Sequence, residues 1–419
     1  MHTDSLTACL GIQGFTISDI RTDVRKRRSV AIVELERTRT GYVCGGCGRA
    51  VAHGYDGSWH EIQHLQLWHH PTILRFRRYR VECPTCGVRT EALDFVGIRG
   101  PQVTTRLAAL VHEMCKVMTV KAVAIFHGMH RGTVKAIDKA LLEKTQSARP
   151  LDGITALGAD EIAVGQGHHY WHMISALAGP RGSEMLYCGE GRKERHLKGF
   201  WTWFGEDRAR RIRYGVMDMW KPFRNSFRAH CPGIAIIYDK FHVIRHLLDA
   251  LNDVRKEQMR KAARKFRGLL AGKKFVLLKR HARVLGRSRE ALGELLAVSP
   301  KLLKAHALKE LFPHIWSYKS KTWARKFFDG WVRELRWSRM EPFKKFARMV
   351  EDHFDGITAH RDAGVPLGFI ESANLKARNA IRMAYGYRDD AYMKLKVIQA
   401  CTPWMRRFHP WEITHSIPS

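Results

Sequence analysis

Short apolar runs separated by Gly- and Pro-rich turns occupy the middle of the chain and predict alternating strands and helices. The predicted elements, in order, are strands at 155–160, 170–177 and 184–188, a helix at 194–204, a strand at 212–218, a helix at 221–230 and a strand at 234–239. The helix at 194–204 has its large apolar residues on one face, as a helix covering a sheet requires. The expected core is therefore an α/β domain.

Acidic residues stand at the ends of three of these strands. Asp160 ends the first strand, Asp218 the fourth and Asp239 the fifth. The order of three strands, helix, strand, helix and strand is that of ribonuclease H-like folds. Such folds place one acid on the first strand, one at the end of the fourth and one on a helix after the last strand.

A helix predicted at 368–378 supplies a candidate third acid. Glu371, Asn374 and Arg378 are spaced i, i+3 and i+7, so one helical face presents a carboxylate, an amide and a cation. Two strand-end aspartates and Glu371 can hold two Mg²⁺ ions that activate water or a 3′-hydroxyl and stabilise the leaving oxygen. We predict Asp160, Asp218 and Glu371 as the catalytic metal ligands, with Asn374 and Arg378 in support.

The second acid has an alternative, because Asp239 also ends a strand. Topology favours Asp218, which closes the fourth strand, and an aspartate at a strand-to-helix turn can simply cap the helix.

The first hundred residues contain two C-x2-C pairs, Cys44 with Cys47 and Cys83 with Cys86, each followed by Gly. This spacing lets two thiolates on one tight turn bind the same tetrahedral Zn²⁺. The segment between the pairs alternates polar and apolar residues, so a β-hairpin can bring the second pair to the first. We predict a structural zinc site, with five histidines as alternative ligands: His53, His60, His64, His69 and His70.

Residues 101–150 predict three short helices. The first is capped near Thr104, the second covers about 119–126, and the third starts at Thr133 after a turn at 127–132. A small helical bundle has the same pattern, but a helix-turn-helix places its last helix in the major groove. The residues predicted to face DNA are His130, Arg131, Thr133 and Lys135.

The 131 residues between Asp239 and Glu371 exceed a short connection and predict a helical, basic insertion at 246–366. Four tryptophans recur in it at near-heptad intervals: Trp316, Trp323, Trp331 and Trp337. A tryptophan can stack on an unpaired DNA base, but packing in the insertion's own core explains any one of them as well.

The charge of the chain indicates a polyanionic partner. Lys and Arg number 72 against 40 Asp and Glu, a formal net charge of +32 at pH 7. Such an excess over the whole chain favours nucleic acid. No run approaches the roughly 18 apolar residues of a spanning helix, and no signal peptide is evident. We therefore predict a cytoplasmic protein with no membrane partner.

Several motifs together resemble bacterial insertion-sequence transposases of the DDE type, most closely the ISL-three family. They are the segments 159–161, 217–220 and 239–242, and the pair Glu371 and Asn374 followed by 384–388. The two cysteine pairs with Arg78-Tyr79-Arg80 resemble that family's zinc module. In related transposases, a motif like Asp239-x2-His242 lies beside the metal site.

The resemblance implies a transposase that binds the inverted-repeat ends of its element, cleaves them by metal-assisted hydrolysis and joins 3′-hydroxyl ends to target DNA. It implies two Mg²⁺ ions per active site, with Mn²⁺ as a substitute, and a homodimer or larger assembly on double-stranded DNA. The setting would be the bacterial cytoplasm, at the nucleoid. The alternatives are a DNA-binding regulator with an inactive nuclease-like core and a ribonuclease H-type nuclease without strand transfer.

These inferences predict a multidomain α+β and α/β protein. The segments are a β-rich zinc module at 1–100, a helix-turn-helix at 101–150, a ribonuclease H-like core at 151–245 and 367–419, and an all-helical insertion at 246–366.

Overall fold

The computed structural model describes residues 3–25, 28–97, 102–164, 169–261, 273–297, 299–359, 364–383 and 388–409. The chain forms two compact units, which are residues 1–149 together with 379–419, and residues 150–378. The fold is mixed α and β, as predicted. The five-segment division of the chain stays a prediction.

The N-terminal part of the first unit is β-rich. It contains α1 (Thr3–Leu10), β1 (Phe15–Arg25), β2 (Arg28–Arg37), β3 (Tyr42–Val43), β4 (Ala50–Val51), β5 (Gly54–Leu67), β6 (His70–Cys83) and β7 (Gly87–Thr90). The main sheet has the order β1-β2-β6-β5, with β7 paired to β6. β5 and β6 form the predicted antiparallel hairpin, in which Ile62 pairs with Leu74. Their alternation buries Ile62, Leu74 and Phe76 on one face.

Three helices follow: α2 (Thr105–Val117), α3 (Val120–His127) and α4 (Arg131–Ser147). Thr104 caps α2 as predicted, since its hydroxyl accepts a hydrogen bond from the Leu107 amide at 3.3 Å. Gly128 ends α3 at a φ of 65°, a left-handed conformation that favours glycine. The predicted start of the third helix at Thr133 was wrong by two residues, because the His130 side chain caps the helix by accepting from the Gly132 amide.

The second unit is built on a five-stranded sheet. Its elements begin with β8 (Ala156–Ala163), β9 (Tyr170–Ala178), β10 (Glu184–Glu190), a 3₁₀ turn at Glu194–Leu197, α5 (Lys198–Phe204), α6 (Glu206–Ala209), β11 (Tyr214–Met217), α7 (Lys221–His230) and β12 (Ala235–Tyr238). The strand order is β10-β9-β8-β11-β12. β8, β9 and β10 are antiparallel neighbours, whereas β11 runs parallel to both β8 and β12.

The predicted elements of this sheet all exist, although several strand ends differ from the prediction by one to three residues. The helix at 194–204 begins as a 3₁₀ turn, and its predicted apolar face is buried at Leu197, Phe200 and Phe204. The prediction that the first strand ends at Asp160 was wrong. The antiparallel pairing with β9 continues through Ala163, which pairs with Tyr170.

The described part of 246–366 contains only helical elements, which confirms the predicted secondary structure. They are α8 (Lys240–Lys261), α9 (Lys274–Leu278), a 3₁₀ turn at His281–Arg283, α10 (Arg287–Ala297), α11 (Pro300–Leu311), a 3₁₀ turn at Phe312–Ser317, α12 (Lys321–Arg333), α13 (Glu341–Asp352) and α14 (Phe354–Thr358). Trp331 is buried in an aromatic core with Phe312 and Phe346. Trp323 and Trp337 are exposed by 58% and 86%, so the four tryptophans do not form one buried stripe.

The last elements are α15 (Gly368–Met383), α16 (Asp390–Cys401) and α17 (Pro403–Arg406). α15 confirms the helix predicted to carry Glu371, whereas the motif residues 384–387 lie outside the described residues. α16 packs on α4, where Asp138 lies 3.1 Å from Lys396 Nζ. Among the helices that the structure describes, none is both long and apolar enough to cross a bilayer.

Candidate active site and zinc site

Three aspartates occupy equivalent positions next to one another along adjacent parallel strands, each one residue after a paired position. Met217 at the end of β11 pairs with Ala159 on β8 and with Tyr238 at the end of β12. The next residue along each strand is an aspartate: Asp160, Asp218 or Asp239. Asp218 and Asp239 follow the carboxyl ends of their strands, a usual position for functional groups in parallel sheets, whereas Asp160 lies within β8.

Asp160 is buried, with 5% of its surface exposed. Its Oδ1 accepts a hydrogen bond from the Glu161 amide at 2.8 Å, and its Oδ2 accepts one from Asn374 Nδ2 on α15. Burial raises the pKa of Asp160, and the nearby Asp239 raises it further, although His242 and these hydrogen bonds oppose the shift. A buried carboxylate with a raised pKa binds cations favourably, because a cation offsets its desolvation.

His242 lies between two of the aspartates. Its Nε2 is 3.9 Å from Asp160 Oδ1, and its Nδ1 is 3.5 Å from Asp239 Oδ2. Burial lowers the pKa of His242, but the neighbouring carboxylates of Asp239, Asp218 and Asp160 outweigh it, so the net pKa is raised. The structure thus brings His242, the histidine of the predicted accessory motif, into contact with the cluster formed by Asp160, Asp218 and Asp239.

Asp218 and Asp239 differ in their backbone contacts. Asp239 Oδ1 accepts from the Phe241 amide at 3.0 Å, in the first turn of α8, which is a helix-capping contact. Asp218 lies three positions before Lys221, the first residue of α7, and its Oδ1 accepts from the Met219 amide at 2.5 Å. The sequence left helix capping as the alternative role for either Asp218 or Asp239. The structure shows this capping contact at Asp239.

Glu371 lies in the first turn of α15 and is exposed, as is Arg378 two turns later. The residue of this helix that contacts Asp160 is Asn374, one turn beyond Glu371. In the part of the chain that the structure describes, the carboxylates of Asp160, Asp218 and Glu371 are not all within 4.8 Å of one another. The catalytic trio stays a prediction.

Sequence reasoning missed an arginine beside this cluster. The Arg192 guanidinium carbon lies 4.6 Å from the Tyr170 ring centroid and 5.1 Å from that of Trp220. Arg192 Nη1 is 3.5 Å from Glu161 Oε1, and the Trp220 indole donates to the Arg192 carbonyl at 3.2 Å. The sequence signal was Trp220, a tryptophan two residues after a candidate acid.

The oxygen atoms at this site fit a hard divalent cation. Asn374 Oδ1 and Glu161 Oε2 are buried and have no hydrogen-bond partner among the residues that the structure describes. Both belong to residues that contact or adjoin Asp160. Carboxylate and amide oxygens are the donors that Mg²⁺ and Mn²⁺ prefer. The donor set therefore suits Mg²⁺ or Mn²⁺, and which residues hold the ion remains a prediction.

The four cysteines of the N-terminal pairs converge as predicted. All four Sγ atoms lie within 4.8 Å of one another, and no histidine belongs to the group among the described residues. The β5–β6 hairpin returns the chain so that Cys47 Sγ is 3.6 Å from Cys83 Sγ. Of the histidines considered as ligands, His64 is buried and paired with the Thr104 hydroxyl at 2.8 Å. Four thiolates in one cluster support a structural Zn²⁺ ion.

The residues predicted to face DNA fall into two groups. His130 and Arg131 are exposed at the start of α4, and Thr133 is half-buried. Lys135 is partly covered, since its Nζ lies 3.2 Å from Asp389 Oδ2. The structure brings a C-terminal acid onto this helix, which the sequence analysis did not anticipate.

Comparison with known proteins first identifies the N-terminal region as a zinc ribbon. Residues 41–86, which contain all four cysteines, match the zinc finger of the transposases of IS204, IS1001, IS1096 and IS1165. Residues 157–397, more than half of the chain, match a family model described as transposase. The chain belongs to the ISL-three family of DDE transposases, which confirms the resemblance seen in the motifs.

Curated relatives agree with this assignment. The transposase for insertion sequence element IS1001 of Bordetella parapertussis is 27% identical over 392 residues, which cover 92% of this chain and 95% of the relative. The transposase for insertion sequence element IS1557 of Mycobacterium tuberculosis is 24% identical over 378 residues, 82% of each chain. The family and the zinc ribbon together indicate DNA as the partner.

Proposed function

We propose that this transposase cuts the inverted-repeat ends of its insertion sequence and joins the 3′-hydroxyl ends to target DNA, with Asp160, Asp218 and Glu371 as the catalytic acids. The observation that carries the proposal is the pairing of Met217 on β11 with Ala159 on β8, because Asp218 and Asp160 are the next residues along these two neighbouring segments. The contact of α15 with Asp160 through Asn374 supports a third acid from that helix.

The same observations support a ribonuclease H-like fold for the second unit. Its sheet has three antiparallel strands, and its fourth and fifth strands are added in parallel on the side of the first. The large helical segment lies in sequence between the fifth strand and α15. Asp239 caps α8 and, with His242, would keep the neighbouring acids oriented.

The chain's own residues position the acids. The Glu161 amide and Asn374 hold the two oxygens of Asp160 in fixed directions. Arg192, whose guanidinium lies over the Tyr170 and Trp220 rings and contacts Glu161, would add positive charge where a phosphate would bind. Bound Mg²⁺ or Mn²⁺ would supply a more acidic water or 3′-hydroxyl and charge stabilisation for the phosphate.

The two reactions balance without an external energy source. In cleavage, water attacks a phosphodiester at the element end, the P–O3′ bond breaks and a 3′-hydroxyl leaves with a proton. In joining, that 3′-hydroxyl attacks a target phosphodiester, one P–O bond forms and one breaks, and a target 3′-hydroxyl is released. Each step is an in-line displacement at phosphorus.

DNA binding would involve the zinc module and α2–α4 as a helix-turn-helix with α4 in the major groove. The capped, compact α3–α4 turn and the exposed His130 and Arg131 support this assignment. The net charge of +32 fits a long DNA contact. Pairing two element ends requires at least a dimer on DNA.

The test is incubation of the purified full-length protein with labelled duplex carrying the element's end and target DNA, with Mg²⁺. We expect nicking and joined products from the wild type. Asp160→Asn, Asp218→Asn and Glu371→Gln should bind the duplex but not cut it, while Asp249→Asn, at an exposed position on α8, should behave as wild type.

Other outcomes reject parts of the proposal. Binding without cleavage by the wild type would identify a regulator with an inactive core, and cleavage without joining would identify a nuclease. Full activity of Asp218→Asn together with an inactive Asp239→Asn would transfer the second acid to Asp239.

A further inference from the structure

A basic groove lies between α12 and α13 in the helical segment. It has a volume of about 390 Å³, and four cations and one acid line it. Its apolar lining includes Leu335 and Ala347, which are buried, and Val332, which is exposed. The groove therefore combines an apolar floor with a cationic rim.

Three of the rim cations have no ion-pair partner in the part of the chain that the structure describes. Within the described residues, Arg333, Arg336 and Arg348 are exposed and form no salt bridge, whereas Lys344 lies 3.3 Å from Glu341. The lining acid, Glu351, is already paired, because both of its oxygens accept from Arg325 at 2.7 Å. The rim consequently carries positive charge that no described acidic side chain neutralises.

An exposed aromatic residue adjoins this rim. Trp337 is 86% exposed, and the Arg336 guanidinium carbon lies 5.5 Å from its ring centroid. The neighbouring tryptophans are anchored instead: Trp331 donates to the Leu308 carbonyl at 2.9 Å, and Trp316 to the Ile357 carbonyl at 3.0 Å. Packing accounts for those two residues and leaves Trp337 unexplained.

We propose that this groove binds an unpaired DNA strand, with Arg333, Arg336 and Arg348 on the phosphates and Trp337 stacked on a base. Unpaired arginines complement a phosphate backbone, and an exposed indole beside them gives a sequence-tolerant stacking surface. An unpaired strand fits better than intact duplex, because a base must leave its stack to reach an aromatic side chain. The proposal rests on the proposed function, in which cleavage at element ends produces strand termini that are free to unpair.

The test measures binding of the full-length protein to an oligothymidine strand by fluorescence anisotropy over a range of salt concentrations. The variant replaces Arg333, Arg336 and Arg348 with alanine. Its control replaces Arg283, Arg287 and Arg289, three exposed arginines elsewhere in the helical segment, and so changes the charge equally. Log affinity falls as log salt rises, and each lost phosphate contact makes this dependence less steep by ~0.7. We therefore expect the groove variant to have a slope less negative than that of the wild type by about 2. The control variant should keep the wild-type slope.

Trp337→Ala tests the stacking contact separately. We expect weaker oligothymidine binding on the order of tenfold, with a wild-type salt slope. Trp323→Ala, at an exposed tryptophan on α12 that contacts Lys326, is the matched control and should bind as wild type.

Equal salt slopes for the two arginine variants would overturn the proposal. An altered sedimentation profile of the groove variant with unchanged DNA binding would also overturn it, because the groove would then be a protein interface. The assay needs neither catalysis nor a particular end sequence. If the wild-type protein neither cuts nor joins element DNA, the proposed function is rejected. If the groove variant binds the oligothymidine strand as the wild type does while the wild type still cuts element DNA, only the proposed role of the groove is rejected.

Discussion

Asn374 donates a hydrogen bond from its Nδ2 to Oδ2 of Asp160, joining α15 to β8 across 214 sequence positions. The amide can donate to a carboxylate and still present Oδ1 as an oxygen ligand. One side chain therefore fixes the orientation of the first candidate acid and keeps the helix of Glu371 beside β8, the central strand of the sheet.

Replacing Asn374 should impair cleavage without unfolding the protein. Asn374→Ala removes the contact that orients Asp160, and we expect a loss on the order of 10–100-fold in cleavage rate, as for other residues that orient metal ligands. The rate is measured with labelled end duplex, and circular dichroism checks the fold. Asn379→Ala, at an exposed position of α15, is the control. Wild-type cleavage by Asn374→Ala would remove Asn374 from the site.

The arginine beside the cluster should matter through its planar shape as well as its charge. Arg192→Ala and Arg192→Lys should both slow cleavage, because an ammonium group cannot stack between Tyr170 and Trp220 as a guanidinium does. A role in holding Glu161 predicts a lower kcat, whereas phosphate binding predicts a higher KM, so single-turnover kinetics separate the two. Arg195→Ala, an exposed neighbour, should retain activity. Full activity of Arg192→Lys would contradict the stacking role.

Zinc removal should unfold the N-terminal module. Structural Zn²⁺ contributes on the order of 10 kcal/mol to small modules, so replacing any of the four cysteines should abolish bound zinc. We expect about one Zn²⁺ per chain by elemental analysis in the wild type and none in Cys83→Ser. Cys9→Ser, at an exposed cysteine outside the cluster, should keep the metal. Retention of one zinc by Cys83→Ser would contradict four-cysteine ligation.

A buried acid in the first unit predicts how stability depends on pH. Asp138 is fully buried, with its oxygens 2.6 Å from His112 Nδ1 and 3.1 Å from Lys396 Nζ. Burial alone would raise the pKa of Asp138, but these partners and Tyr392 lower it below the ordinary value of 3.8. An acid with a lowered folded-state pKa adds stability that is present above the unfolded pKa and is lost as pH falls through the folded pKa.

Asp138→Asn should therefore remove stability at neutral pH and flatten its dependence below about pH 4. Breaking a buried charge pair typically costs about 3–5 kcal/mol, so the urea midpoint at pH 7 should fall clearly. The difference between wild type and variant should shrink as pH decreases from 4 toward 2. Glu143→Gln, an exposed position on α4, should leave the midpoint unchanged. A constant difference at every pH would contradict the charge-pair explanation.

The sequence predicted the elements of the site better than their contacts. Apolar runs identified β8, β11 and β12, because a buried parallel strand is apolar on both faces. The hairpin with β9, which carries β8 past Asp160 to Ala163, depends on pairing between strands that no local pattern records. Spacing placed Glu371 and Asn374 on one helical face, but only the docking of α15 determines which of them contacts Asp160.

The tryptophans show the same limit. Near-heptad spacing puts Trp316, Trp323, Trp331 and Trp337 at similar positions of successive turns, yet Trp331 is buried and Trp337 is 86% exposed. Burial of Trp331 results from Phe312 and Phe346, which belong to other helical elements. Periodicity within one segment cannot report which neighbours cover it.

The ion pair at α4 yields a prediction for DNA affinity. Lys135 and Lys139 both lie within 3.2 Å of Asp389, and the Tyr392 amide with these lysines lowers the pKa of Asp389 to about 2, so the acid is charged in any ordinary assay. A carboxylate that occupies two lysines of the proposed recognition helix competes with DNA phosphates for them. Asp389→Asn keeps the cap on α16, since asparagine caps helices as well as aspartate does. It should therefore release the lysines without disturbing the helix.

We expect Asp389→Asn to bind duplex DNA more tightly and to steepen the dependence of log affinity on log salt by about 1 for each lysine that gains a phosphate. Asp390→Asn removes the same charge from an exposed neighbouring position and corrects for the change in net charge. Anisotropy titrations with an end duplex and a scrambled duplex would measure both effects. If Asp389→Asn and Asp390→Asn give the same slope, Lys135 and Lys139 do not contact DNA, and α4 is not the helix that enters the groove.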